Sequence, residues 1–492
     1  MAHSGTSYLT RAARQPVRWQ PWSRDAFALA AKLDRPILLY IGSDACRWCA
    51  ETDRAIYTDP EIGSLINALF VPIRVDRDER PDVAQRYQAA VEHLAGLRGW
   101  PLTVFLTADG SAFFGGTYFP ADDPITGRGL KQLLPEVARS YRDERSFIVQ
   151  QAAVVRQLVL TGNDASRGVL RPSLVQDGIV AVARELDDAA RTRAVTGSVM
   201  HVEATALLLL PGGGAGGGGG DTTAQASARR ALDLMLDSTA ALAGEDPPRL
   251  VRAALAGSLA EAWARTGDPR YREAGRVLVR ALANELPNLA ALDADDAVFV
   301  DHEGFVIEHL LLAAATFGEQ AAEKRTLAAL DVLLQRTYAH GWGVRHAIAD
   351  APAAGLTTPL GMLEDHVQVA AACLAAYKFG KESRYLDVAL DLAAVIERSY
   401  ADPLGGYFDV ADAPSGSLPA LGDRSKHVFD DVLPGPNAAM ARLLAHLAQV
   451  TGDRSYWRRA QHTLEAFAGA VPGTGLRAST FLAAARETLG TP

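Results

Sequence analysis

The sequence predicts a multidomain protein in which an α/β domain is followed by an all-α domain, whose paired helices close into an α/α toroid. Up to about residue 162, strand-like and helix-like segments alternate along the chain. After Pro172 the strand signals nearly vanish, and about twelve amphipathic helical stretches follow one another. We therefore place the two domains at residues 1–165 and 166–492.

The first domain shows the element order βαβ, then α, then a ββ hairpin, then α. Pro36 to Gly42 is a continuous apolar run that ends at glycine, which is typical of a buried parallel strand. A helix is predicted to begin at Asp82, directly after Pro81, and to end at Leu94. The other predicted elements are helices over 25–33, 46–56 and 129–160 and strands over 70–76, 102–106 and 111–118.

The second domain contains a recurring turn motif between its helices. Copies lie at Thr266–Tyr271 and Thr451–Tyr456, with a copy one residue longer at Phe379–Tyr385. We expect glycine to end one helix in the left-handed conformation, an acidic residue or serine to begin the next, and tyrosine to pack between them. Six such hairpins would form a closed (α/α)6 toroid or barrel, and a plain α-solenoid is the alternative. Residues 212–220 are almost pure glycine and predict a flexible loop inside this domain.

Composition and charge exclude several function classes. The chain has 49 Lys+Arg against 58 Asp+Glu, a net charge of −9, and no strongly basic region, so we expect no nucleic-acid partner. The longest apolar stretches fall far short of the roughly 20 residues that span a bilayer, so we expect no membrane partner. Because the N-terminus lacks the apolar core of a signal peptide, we expect a cytoplasmic protein.

The most informative motif is a C-x-x-C pair, Cys46 and Cys49, placed after a buried strand and at the start of a helix. The positive end of the helix dipole favours the thiolate there, and Arg47 adds a nearby positive charge. We predict Cys46 as the exposed attacking thiol and Cys49 as the resolving thiol. A C-x-x-C is also half of a zinc site, but the sequence has no second cysteine pair and no nearby histidine at ligand spacing. We therefore predict redox chemistry with no metal and no cofactor.

A second feature supports redox chemistry. Trp100 and Pro101 stand just before the strand at 102–106, about fifty residues after the cysteines. In thioredoxin-like proteins a cis-proline at this place faces the disulfide and presents backbone to an extended substrate chain. We predict a substrate groove formed by Arg47, Trp48, Trp100 and Pro101, with a protein disulfide substrate or a reductase as partner. The alternative is an inactive cysteine pair on a structural domain.

Six N-terminal motifs in order resemble the spermatogenesis-associated, thioredoxin-like protein family. They are Pro16–Trp22, Arg35–Gly42, Cys46–Cys49, Val75–Asp82, Gly99–Leu106 and Phe114–Pro120. A looser resemblance covers Leu363–His366, Gly405–Phe408, Arg424–Lys426, Asp430 and Pro434–Asn437. The resemblance implies a thioredoxin-like domain joined to an (α/α)6 barrel similar to N-acylglucosamine 2-epimerases and six-hairpin glycosidases.

The chain departs from this family pattern at the cysteines and in the barrel. The family usually has histidine after each cysteine, whereas this chain has Arg47 and Ala50, so stabilisation of the thiolate by histidine is lost. Two glycine-rich stretches typical of the family barrel are missing, and the region from Thr196 to Pro248 stands in for both.

A predicted barrel pocket combines acidic residues with the family-like motifs. Its members are Asp295, Asp301, Glu303, Glu364, Asp365, His366, Lys426 and Asn437. Carboxylates about 5–10 Å apart suit glycoside chemistry, while helix caps and loop solvation are the alternative explanation. The spacings of His302, His309 and His366 match no recurrent metal site.

The sequence favours a thiol–disulfide oxidoreductase that uses Cys46 and Cys49, with a barrel that binds a carbohydrate-like ligand or a partner. One alternative is a carbohydrate-active isomerase, epimerase or hydrolase that acts in the barrel, with a structural thioredoxin-like domain. The other is a non-catalytic scaffold.

Overall fold

A computed structural model describes ten segments of the chain. They are residues 6–123, 125–126, 129–161, 166–192, 198–210, 220–241, 248–289, 297–348, 361–411 and 422–490. Asp295 and all but the last residue of the predicted glycine-rich loop lie outside these segments, and Gly220 begins a helix. The candidate-site residues other than Asp295 are all described.

The N-terminal region folds as a four-stranded sheet flanked by helices. In chain order its elements are α1 Ser7–Ala12, α2 Arg24–Leu33, β1 Ile37–Gly42, α3 Arg47–Thr52, α4 Pro60–Leu69, β2 Val71–Asp76, α5 Pro81–Ala95, β3 Leu102–Leu106, β4 Ala112–Gly116, α6 Leu130–Asp143 and α7 Arg145–Thr161. A π-helical turn, Asp53–Tyr57, directly follows α3. The helix predicted over 129–160 is two helices, because the backbone of Glu144 leaves the helical conformation. The fourth strand ends at Gly116, not at residue 118.

The sheet has the order β2-β1-β3-β4, and β1 pairs in parallel with β2 and antiparallel with β3. Alternate side chains of β1 enter different cores. Leu39 packs with residues of α2, α5 and α7, whereas Tyr40 packs with residues of α1, α4 and α6. Because helices cover both faces, β1 is buried along its whole length, which explains its unbroken apolar sequence.

Twelve α-helices follow in the described part of the second region. They are α8 Pro172–Arg191, α9 Val199–Leu209, α10 Gly220–Ala241, α11 Arg249–Thr266, α12 Pro269–Asn284, α13 Val300–Phe317, α14 Gln320–Thr337, α15 Leu363–Gly380, α16 Ser383–Ser399, α17 Pro436–Thr451, α18 Arg454–Glu465 and α19 Ser479–Gly490. Short 3-10 turns lie at Ala468–Ala470 and Gly475–Ala478. Two-residue strands form the pairs β5 Val298–Phe299 with β8 Ala347–Ile348 and β6 Tyr338–Ala339 with β7 Gly343–Val344.

Six of these helices form an inner ring. Helices α9, α11, α13, α15, α17 and α19 contact one another in that order, and α19 also contacts α9. The other six helices pack outside this ring. The closed ring confirms the predicted (α/α)6 toroid and excludes the open solenoid, in which the last repeat would not meet the first.

Burial explains the different sequences of inner and outer helices. The inner helix α13 is apolar on nearly all sides and buries residues from Val300 to Phe317. The outer helix α18 buries only Ala460, Thr463 and Leu464, so its remaining positions are mostly polar. A helix that is enclosed on every side lacks the polar stripe of an amphipathic surface helix.

In two of the three copies of the turn motif, the first helix ends and the next begins as predicted. Gly267 and Gly452 have φ angles of +66° and +74°, and Asp268 and Asp453 accept hydrogen bonds from the first turns of the next helices. In the longer copy the left-handed residue is Lys381, with φ of +59°, and not the preceding glycine. The sequence prediction of a glycine cap is therefore wrong at this turn.

The N-terminal ends of the inner helices face the thioredoxin-like domain. Long connections lead into these ends, such as residues 338–362 before α15, whereas α13 and α14 are joined by two residues. Arg156 on α7 donates hydrogen bonds of 2.9 and 2.6 Å to the carboxylate of Asp423 in one such connection. No described helix is both long and apolar enough to cross a membrane.

Candidate redox site and interdomain cleft

The two cysteines lie where β1 ends and the chain turns into α3. Cys46 and Cys49 are joined by a disulfide bond. The side chain of Cys46 is partly exposed, whereas Cys49 is fully buried. An external thiol can therefore reach Cys46 far more readily than Cys49.

The sulfur of Cys46 caps the N-terminus of α3. The backbone N–H of Cys49 points to Cys46 Sγ at 3.1 Å, so the sulfur occupies the place where a helix-capping oxygen is usual. Free N–H groups and the helix dipole stabilise negative charge at this position. The local structure therefore favours a thiolate at Cys46 when the disulfide is open.

The predicted groove residues surround this corner of the domain. Arg47 and Trp48 begin α3 and are exposed, and 63% of the Trp48 surface is accessible. The Trp100–Pro101 peptide bond is cis, and Pro101 is buried at the start of β3. The Arg77 guanidinium lies 5.2 Å from the centre of the Trp100 ring. An exposed aromatic surface thus adjoins the accessible sulfur.

A cleft runs from the cysteine corner to the mouth of the barrel. Its outer part, about 450 Å³ in volume, is lined by Ala45 and Trp100 on one side and by Arg249, Phe299 and Glu303 on the other. Its inner part, about 40 Å³, lies between α5 and the N-terminal ends of the inner helices. The two parts adjoin because they share the lining residues Arg77, Asp78, His302 and Val432.

Buried charged residues cluster beside the inner part of the cleft. His346 Nδ1 lies 2.9 and 3.0 Å from the two carboxylate oxygens of Asp365, and its Nε2 lies 3.0 Å from the carbonyl oxygen of Asp78. Asp365 also accepts hydrogen bonds from the backbone N–H groups of Asp301 and Met362. His346 therefore connects the barrel mouth directly to the thioredoxin-like domain.

The cluster and its burial raise the pKa values of both His346 and Glu364. Burial alone would lower the pKa of His346, but the carboxylates of Asp365 and Asp301 raise it to about 10, so the imidazole is charged at neutral pH. Burial, reinforced by the charges of Asp301 and Asp365, raises the pKa of Glu364 well above its usual value. Glu364 lines the cleft and can hold a proton there.

Asp301, His346 and Asp365 also have the composition of a metal site. Their ligand atoms lie within 4.8 Å of one another. Both ring nitrogens of His346 take part in hydrogen bonds, and a protonated imidazole has no lone pair for a metal. These three residues therefore fit an ion-paired cluster better than a cation site.

The remaining predicted pocket residues hold the barrel mouth together. Lys426 donates a hydrogen bond of 2.7 Å to Asp402, and Asn437 exchanges hydrogen bonds with the backbone of Tyr407. His366 is fully buried and hydrogen-bonds the backbone of Met362. Glu303 pairs with Arg249 at the edge of the cleft. Of the predicted pocket residues that the structure describes, Asp301, Glu303 and Glu364 line the cleft.

Residues 1–159 match the family Thioredox_DsbH, described as a protein of unknown function, DUF255. The predicted resemblance is confirmed for the N-terminal third of the chain. Spermatogenesis-associated protein 20 from Homo sapiens is 34% identical over 34% of this chain and 21% of its own length. The Rattus norvegicus protein of the same name is 35% identical over 33% of this chain and 20% of its own length. The matched segment thus corresponds to a small part of each relative.

A solved structure of an unsaturated glucuronyl hydrolase specific for heparin is similar over 65% of this chain and 97% of its own. The TM-score is 0.47 and the sequence identity 14%.

Two cleft residues, Arg77 and Asp78, and the neighbouring His346 are not singled out by the sequence. Arg77 and Asp78 belong to the family-like run Val75–Asp82. The sequence marks this run as a motif but assigns no function to either residue. His346 lies in a long connection of the barrel and has no sequence neighbour that marks it. Its importance follows from contacts with residues 19 and 268 positions away, which only the folded chain brings together.

Proposed function

We propose that this protein is a thiol–disulfide oxidoreductase whose centre is the Cys46–Cys49 pair. The observation that carries the proposal is the position of the Cys46 sulfur, which is accessible, caps a helix N-terminus and is bonded to a buried partner cysteine. This asymmetry suits a reaction in which one sulfur meets the substrate and the other remains inside.

The proposed reaction is a thiol–disulfide exchange. The Cys46 thiolate attacks a substrate disulfide, which forms a mixed disulfide and releases one substrate thiolate. The Cys49 thiolate then attacks Cys46 Sγ, releases the second substrate thiolate and leaves the Cys46–Cys49 disulfide. The exposed Trp48 and the partly buried Trp100 would contact the substrate, and the adjoining cleft offers space for a segment or small molecule attached to its sulfur.

A redox titration tests the proposal. The protein is equilibrated with glutathione buffers, the free thiols are alkylated, and the intact mass is measured. We expect a two-electron transition between about −120 and −270 mV that Cys46→Ser abolishes. The matched control is Cys373→Ser, because Cys373 is a buried free cysteine on α15. Absence of a reversible transition in the parent protein would reject the oxidoreductase function.

A second candidate function is carbohydrate chemistry at the barrel mouth. It is favoured by Glu364, whose raised pKa gives a proton donor next to Asp301 on the wall of the inner cleft. A retaining or inverting hydrolysis uses one protonated and one ionised carboxyl group. We expect Glu364→Gln to abolish turnover of any carbohydrate substrate found by screening, with Cys46→Ser as the control that leaves it unchanged. Loss of the same turnover in Cys46→Ser would contradict an independent barrel activity.

A further inference from the structure

The hydroxyl group of Tyr8 lies beside the disulfide and has no hydrogen-bond partner among the described residues. Tyr8 is on α1, and only 1% of its surface is exposed. A buried hydroxyl without a partner is destabilising, because it has lost water without gaining a bond. Such a group can therefore gain a bond in a second state of the molecule.

The geometry at Gly42 shows where that bond can form. A β-carbon built on Gly42 would lie 2.5 Å from the Tyr8 hydroxyl oxygen and 2.9 Å from Cys49 Sγ. The oxygen and the sulfur therefore border the same small space, which stays open because residue 42 has no side chain. In the disulfide state the sulfur of Cys49 is neutral and a weak acceptor, whereas a thiolate is a strong one.

The surroundings of Tyr8 keep its proton on the oxygen. The Arg74 guanidinium lies 4.0 Å from the centre of the Tyr8 ring and is held by hydrogen bonds of 2.7 and 2.6 Å to Asp53. Burial raises the pKa of Tyr8 well above its usual value. The other groups whose charge acts on Tyr8 are Asp76 at the end of β2 and Tyr57 on the π-helical turn.

We propose that Tyr8 donates a hydrogen bond to the Cys49 sulfur when the disulfide opens. An external thiolate attacks Cys46 Sγ, the Cys46–Cys49 bond breaks, and its electron pair remains on Cys49 Sγ as a thiolate. The Tyr8 hydroxyl, which keeps its proton, then gains the acceptor that it lacks in the disulfide state. This role rests on the proposed oxidoreductase function and adds a residue that favours the dithiol form.

The test compares Tyr8→Phe with Tyr57→Phe. Both variants remove one buried hydroxyl from the same aromatic cluster, and Tyr8→Phe keeps the ring against Arg74. We expect Tyr8→Phe to shift the exchange equilibrium with glutathione about tenfold toward the disulfide, which is a change of about −30 mV for a two-electron couple. We expect Tyr57→Phe to remain at the parental potential. Equal potentials for Tyr8→Phe and Tyr57→Phe would overturn the proposal.

A second measurement separates this role from the redox function itself. In a Cys46→Ser background, which forms no disulfide at this site, the ultraviolet absorbance of the Cys49 thiolate is followed against pH with and without Tyr8→Phe. We expect Tyr8→Phe to raise the apparent pKa of Cys49 by about one unit, a tenfold change in thiolate fraction. If this shift is found but the parent disulfide does not titrate reversibly, the Tyr8–Cys49 bond stands and the oxidoreductase function fails. If no shift is found, the bond is rejected.

Discussion

At the scale of single residues, Gly343 shows how tightly the barrel mouth is packed. Gly343 has a φ of +95° on β7, and a β-carbon at this position would overlap His366 Nε2. The same nitrogen accepts a hydrogen bond of 3.3 Å from the backbone N–H of Val344. A side chain on residue 343 would therefore force apart the strand and α15, and with them the neighbouring cleft residues Leu363 and Glu364.

Replacement of Gly343 by alanine should consequently destabilise the fold. We expect Gly343→Ala to cost about 2–4 kcal/mol, because the left-handed conformation and the overlap with His366 both oppose it. Gly341→Ala is the matched control, since Gly341 has a φ of +71° but no described atom within 4 Å of the added carbon. It should cost about 1 kcal/mol. Denaturant unfolding measures both values, and equal losses would contradict the packing explanation.

At the scale of elements, the turn between α15 and α16 offers a prediction of opposite sign. Lys381 adopts a φ of +59° at the end of α15, where the other two copies of the motif use glycine. We expect Lys381→Gly to stabilise the protein by about 1 kcal/mol, because it removes the strain of a β-carbon in the left-handed region. Gly267→Ala, in the equivalent turn after α11, should destabilise it by a similar amount. Thermal unfolding that moves the same way in both variants would contradict this interpretation.

The elements that the sequence predicts best are those with a strong local pattern. The apolar run of β1 follows from burial on two faces, and the periodicity of an outer helix such as α8 follows from burial on one face. The helix α4 was not predicted, although Asp59 caps it and Pro60 begins it. The break at Glu144 was also not predicted, since no glycine or proline marks it.

The candidate-site residues that the sequence locates are those whose positions depend on local structure and not on distant contacts. Cys46 and Cys49 are placed by a local strand–helix transition, so sequence alone locates them. His346 and Lys426 contact segments that are distant in the sequence. No short sequence pattern encodes such contacts. The sequence therefore locates the cysteine pair but not the ionic cluster beneath the cleft.

At the scale of the whole molecule, the two domains are held by polar contacts. Arg156 on α7 binds Asp423 with two hydrogen bonds, and Arg86 on α5 donates one of 2.6 Å to the carbonyl oxygen of the same residue. Gln85 donates another of 3.1 Å to Asp431. These contacts join the thioredoxin-like domain to the barrel beside the cleft.

Loss of the Arg156 contacts should loosen the domains without unfolding either one. We expect Arg156→Ala to lower the stability of the assembled molecule by about 2 kcal/mol and to separate its calorimetric transition into two steps. Arg142→Ala is the control, because Arg142 pairs with the adjacent Asp143 on the surface of the first domain. A single unchanged transition for Arg156→Ala would contradict the idea that this ion pair couples the domains.

His346 also joins the two domains, through its contact with Asp78, and its charge makes their stability dependent on pH. Its pKa is raised from 6.5 to about 10 in the folded protein, because Asp365 and Asp301 outweigh the effect of burial. A raised pKa means that the folded state binds the proton more tightly, so this stabilisation is complete below about pH 6.5 and is lost as the pH rises toward 10. We expect His346→Gln to cost about 3 kcal/mol near pH 6 and markedly less near pH 9.5.

Denaturant unfolding at the two pH values measures this change, with His340→Gln as the control. His340 also lies near a carboxylate, that of Asp391, but its side chain is 85% exposed, so its replacement should have a small effect that varies little with pH. If His346→Gln costs the same at both pH values, the imidazole is neutral in the folded protein. The contact between His346 and Asp78 would then join the domains as an ordinary hydrogen bond, and the cluster beneath the cleft would carry one more net negative charge than the structure indicates.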